Sequence, residues 1–229
     1  MRTRNLFTDS RGVATSLIEA VMVIAIASII SGMAIVASMD KVEDARLTRA
    51  IADTENIGIA IHTFMHDTGF APAFKKGTAH SPNDEIYLVL ESGGDAPTAD
   101  EELNWPTGGP EDMVRDRFEN HLIHNKPGGA DFPYARIGEV SYNRTHGWNG
   151  PYFPSMPSSD PWGNRYLANV QLLTPKGIQM AASSLPLGVG QRPAVFVISS
   201  GPNRVLDTNF FQVADAFVVG GDDILFRIQ

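Results

Sequence analysis

The first third of the chain carries a long apolar run that passes into an amphipathic helical pattern. Residues 20–39 contain no charged side chain, and a helix of about twenty residues crosses a hydrocarbon layer of about 30 Å. Beyond this run, positions spaced by three or four predict one buried stripe, made of Leu47, Ile51, Thr54, Gly58, Ile61 and Met65. The pattern predicts one long helix, membrane-spanning over residues 15–39, amphipathic over residues 40–70 and ended by Gly69.

The rest of the chain alternates loops with short apolar segments. Residues 71–146 form a variable region in which helix-start signals at 81–84 and 110–112 predict two short helices, the first carrying Ile86, Tyr87 and Leu90. Residues 147–229 are rich in turns and predict strands over 165–173, 194–199 and 224–228. A helix followed by strands predicts an α+β fold, with an antiparallel sheet packed on the helical stripe and the short helices over the sheet.

Charge and composition restrict the compartment and the ligands. The net charge of −8 argues against a nucleic-acid surface and suits divalent cations better. Three arginines, Arg2, Arg4 and Arg11, precede the apolar run, so we expect the N-terminus in the cytoplasm and the remainder exported. The absence of cysteine excludes disulfides and thiolate-held metals.

Two simpler interpretations of the N-terminus compete with an assembly segment. A secretory signal would have an apolar run of about 7–15 residues and a small-residue cleavage site, neither of which is present. A plain membrane anchor accounts for the length of the run. It does not account for Glu19, a carboxylate at the membrane edge that needs a partner.

Three stretches carry a family resemblance. Residues 15–19 (TSLIE), with the apolar helix behind them, resemble the class III signal of type IV pilins and of type II secretion pseudopilins. Residues 147–152 (GWNGPY) and 160–166 (DPWGNRY) resemble turn motifs of the major pseudopilin. The resemblance implies a type IV pilin fold, a leader over residues 1–14 removed by a prepilin peptidase, and methylation of the new N-terminus.

The resemblance also implies partners and a location. The expected partners are copies of the same chain, other pseudopilins and an inner-membrane assembly platform. Before assembly the protein would sit in the inner membrane with its soluble domain in the periplasm, and afterwards in an extracytoplasmic filament.

The cleavage point is set by the position of Glu19. The family usually cuts after glycine and has glutamate fifth in the mature chain. Cutting after Gly12 would make Glu19 the seventh residue, whereas cutting between Ala14 and Thr15 makes it the fifth, and we favour the second. The resemblance implies that Glu19 pairs with the N-terminal amine of a neighbouring subunit, which stabilises both charges at low dielectric.

The C-terminal region resembles the calcium-binding loop of the major pseudopilin. Calcium takes about six to eight oxygen ligands, and the resemblance offers Ser200, Asn203, Val205, Asp207, Asp222 and Asp223. The alternative interpretation is a pair of solvated turns, because Gly-Pro-Asn and Gly-Asp suit tight turns for local reasons.

Other chemistry-bearing residues give weaker signals. His62 with His66, and His121 with His124, have helical metal-ligand spacing but lack the glutamate of a zinc protease motif, so we interpret them as structural or surface residues. We expect Trp148 and Trp162 in the core. No nucleophile motif or phosphate loop is present, and we expect a protein that is not an enzyme.

The favoured hypothesis is therefore a structural subunit of a type II secretion pseudopilus or a related filament. A minor subunit at the filament tip is the alternative within the same machinery, favoured by the bulk of residues 73–146. A membrane-anchored exported binding domain or hydrolase that never polymerises is the alternative from another class.

Overall fold

The computed structural model describes residues 10–77, 84–106, 114–139, 145–185 and 187–229, without the side chains of residues 10–15 and 33–37. The helix starts predicted at 81–83 and 110–112, and most of the predicted leader, lie outside the described residues. The chain divides into two compact units, with the boundary between Ala45 and Arg46.

A long N-terminal helix, α1, spans Ser10–Thr68 and confirms the prediction of one continuous helix. It ends where predicted: Gly69 donates its N–H to the Met65 carbonyl at 2.9 Å and adopts a φ of 74°, the left-handed conformation that favours glycine. The structure does not confirm the prediction of a membrane span over residues 15–39. Among the helices of the described residues, none combines the length and the apolarity that crossing a membrane requires.

The buried stripe of the second half of α1 differs in part from the predicted one. Thr54, Gly58 and Ile61 are buried as predicted, but Ile51 is 55% exposed. The stripe is instead completed by other buried residues, namely Ala50, Ile57, Ala60, Phe64 and Thr68. Of these, Ile57, Ala60 and Phe64 join the core cluster that includes strand residues of the sheet.

Within the described residues the strands are short. They are β1 (Val89–Glu91), β2 (Thr98–Ala99), β3 (Arg115–Arg117), β4 (Leu167–Ala168), β5 (Phe196–Ser199), β6 (Val205–Leu206) and β7 (Ile224–Arg227). Five form one sheet in the order β3-β1-β4-β5-β7, and β2 pairs separately with β6. Pairs β1–β3 and β2–β6 are parallel and the others are antiparallel. The protein is therefore α+β, but its main sheet is mixed rather than antiparallel.

Short helical segments connect these strands. In the described part of the chain the α-helical ones include α2 (Phe118–Leu122) and α3 (Pro175–Met180). The others are 3₁₀ turns, at Glu101–Leu103, Pro127–Gly129, Val170–Leu173 and Ala214–Ala216.

The region between α1 and residue 147 contributes to the sheet instead of lying only over it. The predicted helix through Ile86, Tyr87 and Leu90 is wrong, because Val89–Glu91 forms β1 between β3 and β4. The second predicted helix is interrupted: within the described residues, Val114 is helical, β3 follows at Arg115–Arg117, and the helix resumes over Phe118–Leu122. Pairing with a neighbouring strand outweighed local helical spacing at both places.

The strand predicted over residues 165–173 is also shorter than expected. It ends after Ala168 because the Asn169 side chain forms hydrogen bonds with backbone groups of the neighbouring segments. Its Nδ2 donates to the carbonyls of Ala194 and Phe210, both at 3.1 Å, and its Oδ1 accepts from the Phe196 N–H at 2.9 Å. The chain then turns into the 3₁₀ segment Val170–Leu173.

Alternation along the strands gives the sheet two apolar faces. One face joins a cluster that includes Ile57, Ile61 and Phe64 of α1, and its strand members are Leu90, Ala168 and Val197. The opposite face joins a second cluster with Trp105 and Phe210, and its strand members are Val89, Leu167, Phe196 and Ile198. In the described part of the chain, the residues that join it from outside the main sheet include members of loops, of the 3₁₀ segment Glu101–Leu103 and of the pair β2–β6.

Two contacts fix α1 against the sheet. A Cβ built on Gly58 would stand 2.3 Å from Phe226 Cδ1, so glycine permits the close approach of α1 to β7. Next to it, the Tyr166 hydroxyl donates to Asp53 Oδ2 at 2.9 Å.

Candidate functional site

The assembly residue proposed from the sequence lies on α1. Glu19 is exposed there. Large apolar side chains surround it along the chain and are each more than half exposed: Leu17, Ile18, Val21, Met22, Val23, Ile24, Ile26, Ile29 and Ile30. The side chains of Ala14 and Thr15, and the surroundings of Gly12, lie outside the described residues.

The predicted cation ligands lie on two chain segments, the β5–β6 turn with its continuation (199–208) and the turn before β7 (220–223). Asn203 connects three of them: its N–H donates to Asp222 Oδ2 at 3.0 Å, and its Nδ2 donates to Asp207 Oδ2 at 2.9 Å. Its own Oδ1 accepts from the Val205 N–H at 2.6 Å. The structure therefore brings together Asn203, Val205, Asp207 and Asp222.

Asp223 joins the same two segments from the buried side. Its Oδ2 accepts the N–H groups of Asp207 at 2.9 Å and Thr208 at 2.6 Å. Thr208, which the sequence did not single out, also accepts the Gly220 N–H on its Oγ1 at 3.0 Å. The side chain of Asp223 thus holds the two segments in register.

Glycines allow these segments to approach each other closely. Gly201 and Gly221 have φ values of 64° and 49°. A Cβ on Gly201 would lie 2.3 Å from the Asp222 carbonyl oxygen, and one on Gly221 would lie 1.9 Å from Asp207 Oδ2. A side chain at either position would occupy the space between the acidic oxygens.

Three oxygen atoms in this cluster are buried without a hydrogen-bond partner in the described part of the chain. They are Ser200 Oγ, Asp222 Oδ1 and Asp223 Oδ1. Ser200 is fully buried and Asp223 is 8% exposed. Buried oxygens without a donor are costly, so the cluster has free acceptor capacity of the kind that a hard cation uses.

Electrostatics agree with that interpretation. Burial raises the pKa of Asp223 to about 6, although the donors of Thr208 and Asp207 lower it, and the nearby Asp207 charge raises it further. Within the residues that the structure describes, however, no group of three or more His, Cys, Asp or Glu side chains has the arrangement of a metal site. The oxygens would need to close around an ion.

Of the four histidines considered from the sequence, three lie on the surface and one lies in the core. His62, His66 and His124 are exposed. His121 is fully buried, with its Nε2 2.8 Å from Asp116 Oδ2 and its Nδ1 2.8 Å from the Tyr134 hydroxyl. This arrangement uses both ring nitrogens in contacts within the core.

The tryptophan prediction is confirmed. Trp148 is 5% and Trp162 9% exposed. Trp148 donates its indole N–H to the His121 carbonyl at 3.1 Å, and Arg136 lies over its ring at 5.2 Å.

Sequence reasoning missed a buried ion pair on the second face of the sheet. Glu91, 2% exposed, accepts from Arg165 Nη1 on both carboxylate oxygens, at 3.0 and 3.1 Å. Arg115 Nε lies 3.9 Å from Glu91 Oε2. Glu91 lies in β1, Arg115 in β3 and Arg165 just before β4. These segments are distant in sequence, so no local spacing could have indicated the ion pair.

Comparison of the chain with protein-family models, with curated proteins and with solved structures finds no match.

Proposed function

We propose that this protein is a structural subunit of a type II secretion pseudopilus or a related pilin-like filament, and that it polymerises through the first half of α1. Its leader would be removed by a prepilin peptidase. It would reside in the inner membrane, with its soluble part in the periplasm, before an assembly platform adds it to a filament.

The observation that carries the proposal is the apolar surface of α1 between residues 17 and 30. Its exposed side chains include the consecutive residues 21–24, so they point to every side of the helix. A helix that is apolar all round is stable when surrounded by lipid or by other helices. Lipid before assembly and helices of neighbouring subunits afterwards would supply these two surroundings.

Glu19 would set how neighbouring helices align along this apolar surface. A carboxylate among apolar side chains is costly unless an opposite charge approaches it. In a helical array the amine of Thr15 on the neighbouring subunit supplies that charge. The pair then favours one stagger between subunits over others.

The decisive experiment compares Glu19→Ala with Glu55→Ala, which removes another exposed carboxylate, from the second half of α1. Sheared material from expressing cells is immunolabelled and viewed by electron microscopy. We expect both variants to be processed and exported, and only Glu55→Ala to label filaments. Normal filaments with Glu19→Ala would contradict the pairing, and N-terminal sequencing that begins at Val13 would contradict cleavage between Ala14 and Thr15.

The same images separate the alternatives. Labelling along the filament supports a major subunit. Labelling confined to the ends supports a minor tip subunit, for which the bulk of residues 71–146, with two strands of the main sheet, would be suited. An absence of labelled filaments supports an anchored exported domain that does not polymerise.

Calcium would act as a staple in this proposal. Calcium takes oxygen ligands only. The cluster offers the unpartnered oxygens of Ser200, Asp222 and Asp223, together with the Asp207 carboxylate, the Asn203 amide oxygen and the Val205 carbonyl. The ion would supply charge compensation between two loops that no disulfide joins. Thermal unfolding of the full-length protein with calcium and with chelator tests it, and equal midpoints would contradict the calcium proposal while leaving the filament proposal intact.

A further inference from the structure

A small slot opens on the face of the sheet that α1 does not cover. Its walls are apolar and include Val89, Pro97, Trp105, Pro106 and Leu167. Its volume, counted as space open to the centre of a water molecule, is about 20 Å³. The slot therefore admits the end of a side chain or a small molecule, but not a large ligand.

The charged groups of the slot are Glu91, Arg115 and Arg165. Arg165 Nη1 donates to both oxygens of Glu91, while the 3.9 Å between Arg115 Nε and Glu91 Oε2 is too long for a hydrogen bond. Two guanidinium groups thus face one carboxylate. The slot carries a surplus positive charge in a chain whose net charge is −8.

The surplus belongs to Arg115. Its side chain is 11% exposed, and its Nε is buried without a hydrogen-bond partner in the described residues. The strand register holds it there: Val89 of β1 pairs with Arg115 of β3, and Glu91 pairs with Leu167 of β4. A buried cationic N–H is unfavourable without an acceptor, so this geometry is suited to a group that brings one.

We propose that the slot binds a carboxylate carried on a short apolar body. A small opening of the side chains around the buried Arg115 Nε lets the anion accept its N–H and neutralise the surplus charge, because guanidinium and carboxylate match in shape and charge. The alkyl part packs on Trp105 and the flanking prolines. The small volume favours a planar carboxylate over a tetrahedral phosphate. Either the C-terminus or an acidic side chain of a partner polypeptide presents this chemistry.

The test is an NMR titration of the full-length protein, monitored at the Arg115 Nε–H and the Trp105 indole N–H. Propionate is the probe, and propionamide, which has the same size without the charge, is its control. We expect a saturable shift of both signals with propionate and none with propionamide. The absence of a saturable shift would overturn the proposal and leave a slot that holds water only. Equal shifts with both compounds would overturn the role of the charge and leave an apolar slot without anion selectivity.

Variants assign the effect to Arg115. Arg115→Gln removes the charge and Arg115→Lys keeps it without the Nε–H, while Arg192→Gln removes an exposed arginine elsewhere. With binding followed at Trp105, we expect at least tenfold weaker propionate binding for both Arg115 variants and no change for Arg192→Gln. The lysine variant decides the matter if the glutamine variant unfolds, and wild-type affinity in the lysine variant would overturn the role of the Nε–H.

Two capped dipeptides distinguish the source of the carboxylate. Acetyl-Ala-Ala presents a C-terminal carboxylate, and acetyl-Ala-Glu-amide presents only a side-chain carboxylate. Tighter binding of the first identifies a chain terminus as the ligand, and tighter binding of the second identifies an acidic side chain. Binding of neither peptide would overturn the assignment to a polypeptide partner.

Discussion

Replacing Asp223 by asparagine should stabilise the protein in chelator and destabilise it relative to wild type in calcium. Asparagine can still accept the two N–H groups of Asp207 and Thr208 through its amide oxygen. It removes the buried negative charge whose cost raises the pKa of Asp223 from 3.8 to about 6. The substitution therefore separates the structural role of this side chain from its charge.

The size of the expected change in unfolding free energy follows from the pKa of Asp223. A rise from 3.8 to about 6 corresponds at most to about 3 kcal/mol of unfavourable free energy in the charged folded protein. Solvent near the partly exposed loops screens part of it, which leaves about 1–2 kcal/mol. Asp223→Asn should accordingly unfold about 3–6 °C higher than wild type in chelator at about pH 7.5.

The sign of the pH dependence is fixed by the direction of the shift. Because the pKa of Asp223 is higher in the folded than in the unfolded protein, protonation stabilises the fold. That contribution is complete below about pH 3.8 and is lost as the pH rises through about 6. The advantage of Asp223→Asn should fall to about one third between pH 7.5 and pH 4.5.

Calcium should reverse the order. An ion present at about 100 times its dissociation constant adds about 2.7 kcal/mol to the stability of the wild-type protein, and the variant lacks one charged ligand. Circular dichroism melts in excess EDTA and in millimolar calcium measure both effects, with the exposed Asp215→Asn as the matched control. A variant less stable than wild type in EDTA would refute the charge-burial reasoning, and equal stabilisation of both proteins by calcium would refute the cation site.

Three further substitutions and one control substitution test the packing. Gly58→Ala should lower the unfolding free energy by about 1–3 kcal/mol, because its Cβ would meet Phe226; Gly32→Ala, which meets nothing within 4 Å, should be neutral or stabilising in urea melts. Tyr134→Phe should cost about 1–2 kcal/mol by removing the hydroxyl that contacts buried His121, and an unchanged urea midpoint would contradict that role. Tyr166→Phe should cost about 1 kcal/mol through the lost bond to α1, and hydrogen exchange in residues 50–58 should then quicken; unchanged rates would argue against this tether.

The sequence predicted best what neighbouring residues decide. Helix α1 and its end at Gly69 follow from helical spacing, the absence of proline and a glycine with positive φ. The clustering of Asp207 with Asp222 came from the family resemblance, since residues 208–221, which separate them, contain a 3₁₀ turn at Ala214–Ala216 and no strand.

Non-local pairing explains what the sequence could not predict. Strand β1 has only three residues, and its partners lie far along the chain at Arg115–Arg117 and Leu167–Ala168. Asn169 ended a strand through side-chain bonds to segments 25 and 41 residues away. The ion pair of Glu91 depends on the same long-range register, so it had no local signature.

Near the short parallel pair β2–β6, a single proton reports on the second face of the sheet and on the loop of the candidate calcium site. It joins Thr98 to Val205 and Ala99 to Leu206, and just beyond it the Trp105 indole N–H donates to the Thr208 carbonyl at 2.7 Å. That N–H can exchange with deuterium only when the segment around Thr208 opens. The hydrogen-exchange protection factor of this one proton therefore measures how often the loop opens, and it can be compared with and without calcium.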